Sequence, residues 1–359
     1  MTETDARRSQ QAQRLVERYA ALRRDGPIAQ HQAARRLGVS EAALVAAHVG
    51  TRARRLQTGR FCDLMGGLEA AGKLRAFSRG PSVTIENDGV YRKVSGNEHV
   101  AQVLGEGIDL RLFLRRWRYA YALTDRDEER PSLQIFDQRG DAVHKVFVTE
   151  ESDTAAFSKL CDAFAAEDQR PGEDIAARDS PGPKPPAPKP SDAKRAPDRA
   201  AFLEAWGALE DPHDFVFLLR DHGVSRTQAL KLASPEWTRS VPPETYRAVI
   251  ERAAAQELCL MFFVYGPGVL QIHSDVPGQL TENGAWVELR DPGFGLSIHD
   301  PSVAEAWLVR KPGPNGVIHS LELFDAAGET MALMFSKRRP NQPEPTGWRE
   351  LLRALDLID

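Results

Sequence analysis

"SLQIFDQRGDAVHKVF" spans residues 132–147, and "SLELFDAAGETMALMF" spans residues 320–335. The two align without a gap, Ser132 on Ser320 and Phe147 on Phe335. Each reads as an alternating apolar strand, a glycine-bearing turn and a second strand. Upstream, "PIAQHQAARRLGVS" (27–40) aligns with "PHDFVFLLRDHGVS" (212–225). Helical segments close both copies, "TAAFSKLCDAFAAE" the first and "GWRELLRALDL" the second. The period is far too long for a solenoid, so one fold is used twice in tandem.

Strand candidates follow one another quickly in the second copy: "LMFFVY", "GVLQIHS", "AWVELRD", "GLSIHD", "EAWLVRK", "HSLELFD" and "TMALMFSK". Short strands with tight turns and no helices between them predict an antiparallel meander. The expected class is α+β, a tandem duplication in which each half is an antiparallel sheet with helices at both ends. Several strands alternate only loosely, which implies packing on both faces. The expected domains are residues 1–166 and 200–359. A linker, residues 167–199, carries "PGPKPPAPKP", which reads as an extended polyproline spacer.

Composition excludes several classes. The 359 residues are 42% hydrophobic and 27% charged, with net charge −4. That balance gives no global attraction to nucleic acid or anionic membrane. No apolar run approaches the roughly 20 residues of a membrane span. The polar N-terminus lacks the apolar core of a secretory signal, so no membrane insertion and a cytoplasmic location are expected. Cys62, Cys161 and Cys259 are far apart and form no CxxC pair, which points to reduced thiols rather than a disulfide frame or zinc site.

The duplication supplies an internal control for the histidines. Pro212, Gly223 and Ser225 match Pro27, Gly38 and Ser40, as a helix start, a left-handed stop and an N-cap require. His213 instead matches Ile28, so the fold itself does not need histidine there. Near a helix N-terminus the dipole disfavours imidazolium, and neutral imidazole is the form that binds metal. Asp214 is the neighbour expected to orient the ring. His222 reads as a helix-end residue, and His31, His48, His99 and His144 as surface or edge positions. His273, His299 and His319 lie in separate strands. No pair has metal-site spacing, so a lone histidine would serve a prosthetic group such as haem.

"AARRLGVSEAALVAA" (33–47) has helix-turn-helix spacing, and Arg7, Arg8, Arg35, Arg36, Arg52, Arg54 and Arg55 surround it in sequence. A DNA-binding regulator is therefore the alternative reading. Against it, the other half repeats the same architecture in "RTQALKLA".

The chain resembles the bacterial haemin-degrading factor family of HemS/ChuS type, cytoplasmic proteins of haem uptake. The segments carrying the resemblance are "IDLRLFLRRW", "SLQIFD", "PHDFVFLLRDHGVSRTQAL", "EAWLVRKP", "SLELFD" and "FSKRRPNQPE". The resemblance implies that haem lies in a cleft between the halves with His213 on iron. It places Arg111 on the opposite face with Phe113 nearby, and Arg226, Lys311 and Arg338 as basic contacts to the propionates. Guanidinium and ammonium groups suit carboxylates. Ala332 and Leu333 depart from the polar haem-edge residues it implies. It further implies a haem carrier or a haem-degrading enzyme in which Arg111 is catalytic, with a haem-uptake transporter and a separate haem oxygenase as partners. No other metal is expected.

Overall fold

The computed structural model describes residues 3–124, 130–175, 198–339 and 342–358. Its contacts divide them into two compact units. The first takes the described residues of Met1–Arg79, Glu86–Pro183 and Gly266–Gln271. The second takes those of Gly80–Ile85, Lys184–Tyr265 and Ile272–Asp359.

In the first unit the helices are α1 (Glu3–Arg24), α2 (Gln30–Leu37), α3 (Glu41–Ala46), α4 (Phe61–Gly67) and α5 (Thr154–Ala163). The strands are β1 (Ala53–Arg55), β2 (Gly72–Arg79), β3 (Val83–Val90), β4 (Ser95–Gly96), β5 (Ala101–Leu104), β6 (Asp109–Leu112), β7 (Tyr119–Leu123), β8 (Ser132–Phe136) and β9 (Ala142–Ser152). Strands run side by side in the order β1-β7-β8-β9-β2-β3, with β4, β5 and β6 as a separate run. The pairs are antiparallel.

The second unit repeats this plan. Its helices are α6 (Arg199–Gly207), α7 (Phe215–Asp221), α8 (Arg226–Leu232), α9 (Thr245–Ala255) and α10 (Thr346–Ala354). Its strands are β10 (Thr238–Val241), β11 (Leu260–Gly266), β12 (Val269–Asp275), β13 (Leu280–Asn283), β14 (Trp286–Asp291), β15 (Phe294–His299), β16 (Glu305–Lys311), β17 (Ile318–Phe324) and β18 (Thr330–Ser336). They run β10-β16-β17-β18-β11-β12, with β13, β14 and β15 as the separate run. The α+β duplication is therefore present in the strand order itself. Strands β16, β17 and β18 form an antiparallel meander, and β18 also pairs with β11, Leu333 opposite Phe263.

Loose alternation has the expected cause. All five residues of β8 and all seven of β17 are buried. In the first unit Leu133 and Ile135 join a large core with Leu64, Leu74 and Phe157, while Phe136 packs with Ala42 and Val45 on the other side. In the second, Leu321 and Leu323 pack with Ile250 and Trp348, and Phe324 with Phe202 and Trp206.

The two helix-turn-helix segments are scaffold. Gly38 and Gly223 sit at φ +71° and +63°, the left-handed stops that a side chain would strain. Ser40 caps α3 by accepting from the Ala43 amide, and Ser225 caps α8 in a reciprocal box with Gln228. α3 has six residues, of which Glu41, Ala42, Leu44, Val45 and Ala46 are buried. A DNA-reading second helix must present a free face to the major groove. With five of its six residues buried, α3 offers little of one, which counts against the DNA-binding alternative.

Two histidines expected at the surface are interior. His144 is 1% exposed, with Nδ1 3.0 Å from Ser78 Oγ and Nε2 2.7 Å from Tyr91 OH. Burial pushes its pKa down to about 3. His48 is also buried. The first residues of the expected linker pack onto the first unit: Arg55 Nε donates to Glu173 at 3.0 Å, and Tyr121 OH donates to the same carboxylate at 3.0 Å. The proline-rich run at 181–190 lies outside the described residues.

Candidate functional site

His213 lies in a single 3₁₀ turn, Pro212–Asp214, ahead of α7. Asp211 is its N-cap, and Pro212 takes the first helical position, where no amide donor is missed. One oxygen of Asp211, Oδ1, accepts from the His213 amide at 2.8 Å and lies 2.6 Å from His213 Nδ1. A carboxylate only accepts, so Nδ1 carries a proton, and in the neutral imidazole the lone pair is then on Nε2. Asp211, not the expected Asp214, thus orients the ring. The two bonds from His213, with Arg338 also near, hold the Asp211 carboxyl below its ordinary range. The His213 side chain is 82% exposed.

The next turn of the chain is also open. Val216 and Phe217 are exposed, as is Val317 in the turn before β17. An accessible imidazole among unburied apolar side chains is suited to a flat apolar ligand rather than to packing.

Behind this turn lies a buried charged cluster. Glu322 of β17 is fully buried. Arg226, the first residue of α8, grips it with both arms of the guanidinium, at 2.6 and 2.7 Å. Lys311, at the end of β16, donates to it at 2.8 Å, and Ser320 Oγ at 3.0 Å. Burial alone would raise the Glu322 carboxyl, but the two cations outweigh it and lower the pKa to about 2. Burial brings the Lys311 ammonium down to about 8 despite Glu322. Two cations on one carboxylate leave one positive charge in excess. Both also lie over the Phe215 ring, Lys311 Nζ at 4.8 Å and Arg226 at 5.2 Å from its centroid.

The half-exposed face of the sheet beside them is apolar. Met261, Phe263 and Tyr265 alternate along β11. Leu333 and Phe335 lie on the neighbouring strand, and Phe263 meets Phe335 edge-on at 5.1 Å. Leu333 belongs to this face, whereas Ala332 is fully buried in the core behind it.

Of the residues singled out by sequence, Arg226 and Lys311 are brought together, but on Glu322. Arg338 is near Asp211. Arg111 and Phe113 belong to the first unit: Arg111 donates to Asp109 and to the Leu110 carbonyl, and Phe113 is half exposed. The second unit's other histidines have other partners. His319 is buried on Glu344 at 2.8 Å, His299 lies 2.6 Å from Ser302 Oγ, and His273 stacks on Phe294 at 3.5 Å. His222 ends α7 with its ring against Phe202. Glu322 and Asp211 were missed. The available signal for Glu322 was its alignment with Gln134, a neutral residue in the other copy.

Comparison with known proteins now decides the family. The haemin-degrading HemS.ChuX domain matches twice, over residues 38–164 and 223–355. The chain belongs to the haemin-degrading HemS.ChuX family. A haemin transport protein of Yersinia pestis, HmuS, is 33% identical over 322 residues, covering 89% of this chain and 90% of that one. The structure of holo-PhuS, a haem-binding protein from Pseudomonas aeruginosa, superposes with a TM-score of 0.87 at 36% identity, covering 95% and 97% of the two chains. The haem-degrading enzyme ChuS of Escherichia coli O157:H7 superposes with a TM-score of 0.85 at 28% identity, covering 96% and 99%. Both matched segments begin at the helix-turn-helix stops Gly38 and Gly223, so the family's repeat unit coincides with the duplication.

Proposed function

We propose that this chain binds haem in bacterial haem utilisation, with His213 Nε2 as the iron ligand. The observation that carries the reading is the imidazole itself: exposed, with Nδ1 held by Asp211 and Nε2 free. The haem-binding and haemin-transport relatives support haem as ligand or substrate. Bound haem would supply the redox-active iron for any ring opening. Asp211 fixes the ring and raises the basicity of the ligating nitrogen. The exposed apolar residues Val216 and Phe217 would contact the macrocycle, and the excess positive charge at Arg226 and Lys311, with Arg338, would attract propionates. On the family resemblance Arg111, with Phe113 beside it, would contribute a guanidinium that stabilises negative charge at bound haem. A cytoplasmic location, a haem-uptake transporter and a separate haem oxygenase complete the proposal. Among the described residues no helix is long and apolar enough to cross a membrane.

The family's names cover both carriage and degradation, so the test must separate them. Haemin titrated into the full chain is expected to saturate at one equivalent with a shifted Soret band. Absence of saturation at micromolar haemin would refute the reading. An electron donor and oxygen are then added with catalase present. A tetrapyrrole product and free iron mark an enzyme. Bleaching that catalase suppresses marks a carrier.

Removing the carboxylate partner has a smaller, specific effect. Asp211→Ala is expected to retain haem but bind it about 10–100-fold more weakly, the usual cost of losing a partner that orients a ligand. Its haem reduction potential should rise, because the imidazole becomes a poorer donor. An unchanged affinity and potential would show that Asp211 only caps the turn.

A further inference from the structure

The half-exposed sheet face of the second unit carries residues of two kinds. "FSRGPSV" (77–83) aligns without a gap with "FVYGPGV" (263–269). Phe263 and Phe335 therefore match Phe77 and Phe147, and each pair meets edge-on, at 5.1 and 6.4 Å. These rings are scaffold. Met261, Tyr265 and Leu333 are not, because the first copy has Arg75, Arg79 and Lys145 in their places. Those three cations serve the first unit itself. Arg75 is held by Asp88, while Arg79 and Lys145 share the buried Glu41. The second copy replaces them with two apolar side chains and one phenol. Met261 and Leu333 extend the apolar face. The Tyr265 hydroxyl is a polar group that the fold does not require there.

Strand register places that hydroxyl. Leu260, Phe262 and Val264 of β11 are buried, whereas Met261, Phe263 and Tyr265 are half exposed. Phe263 lies opposite Leu333, and Leu333 opposite Glu322. Residues directly opposite share a face, as do residues two apart, so Tyr265 is on the face of Glu322. Burial raises the pKa of its phenol, Arg226 lowers it and Glu322 raises it. The group is thus protonated at neutral pH and lies within reach of both charges. Among the described residues the hydroxyl has no hydrogen-bond partner. The sealed side-chain atoms without a partner are those of His48, Ser336 and Arg349, so the Tyr265 hydroxyl is open to an occupant of this face. Arg226, by contrast, commits Nε and Nη2 to Glu322.

We propose that Tyr265 is a specificity-determining residue of the ligand site, whose hydroxyl donates to a carboxylate of the flat ligand beside Arg226. It selects a macrocycle with free acid groups over the same macrocycle with those groups esterified. The assignment rests on the haem-binding reading and adds to it the residue that reads the acid groups. The division of labour follows from the bonds. Arg226 and Lys311 supply attraction, but Glu322 holds their donors, while the phenol has a donor with no other use. A hydrogen bond to an ionised acceptor is about twice as strong as one to a neutral acceptor such as an ester oxygen.

Tyr265→Phe removes the hydroxyl and keeps the ring. The full chain and the variant are titrated with haemin and with haemin dimethyl ester in the same buffer, and binding is followed in the Soret band. The parent is expected to bind haemin more tightly than the ester. The variant should keep the parent's Soret maximum and melting temperature. It should lose about tenfold or more in affinity for haemin, the cost of one hydrogen bond to a charged group, and about threefold at most for the ester. Haemin affinity within about twofold of the parent would show that the hydroxyl does not meet the ligand. Equal losses for both ligands would show a role in packing alone. Either result overturns the assignment while leaving haem binding in place, as does a parent with no preference for haemin over the ester. A parent that binds neither ligand overturns the haem reading and this assignment together.

Discussion

Replacing His213 by alanine is expected to abolish the ligated Soret band and weaken haem binding by more than 100-fold. Partners that only orient a ligand are worth about 10–100-fold, and His213 is assigned the ligation itself. The His213 side chain is 82% exposed. It fills no core space, so folding should change by no more than about 0.5 kcal/mol, as at other surface positions. Circular dichroism and thermal melting should match the parent, and any lost affinity then belongs to the site. A variant that keeps the parent's Soret maximum and affinity would remove His213 from the proposal.

The largest stability effect is expected at Glu322. Glu322→Gln should cost about 3–5 kcal/mol, the range for breaking a buried ion pair by removing one partner. The carboxylate is fully buried, and the Lys311 side chain is 4% exposed, so the ammonium left behind cannot turn to water. Lys311→Met is the control. It leaves the two-armed Arg226–Glu322 bond intact and should be much milder. Urea unfolding of both variants decides the matter, and a Glu322→Gln cost below about 1 kcal/mol would contradict the bookkeeping. The pH dependence has a definite sign. The Glu322 pKa is lowered from 4.5 to about 2, so its contribution is complete above pH 4.5 and lost as pH falls toward 2. Lys311 is lowered from 10.5 to about 8. Between those values the unfolded chain holds a proton that the folded chain has released, so this group favours folding increasingly as pH rises through that window.

Much of this was legible beforehand, for physical reasons. The seven strand segments read in the second half each hold a strand, because a buried face imposes period two on the sequence. β10 and β13 were not read. "LTEN" is polar and almost wholly exposed, and "TRSV" is too short to show alternation. Strand order was illegible because alternation reports which face a side chain takes, never which strand lies beside it. The pairing of β18 with β11 depends on contacts distant in sequence. His213 stood out because the duplication offered Ile28 for comparison. Asp211 was not, because adjacency favoured Asp214, whereas the 3₁₀ turn brings the residue two positions back onto the ring. The same comparison of copies could have exposed Glu322 against Gln134, had a buried strand position been examined for charge.

The two carboxylate-centred clusters are built with opposite polarity. In the first unit the acid is on the helix, at Glu41, and Lys145 is on the sheet. In the second the acid is on the sheet, at Glu322, and Arg226 is on the helix. A chain made of two similar folds risks assembling the helix of one copy on the sheet of the other. Here that error would press Glu41 against Glu322, or Arg226 against Lys145, like charges with no water between them. The inverted polarity is expected to disfavour that mispairing, because each wrong pair would bring like charges together.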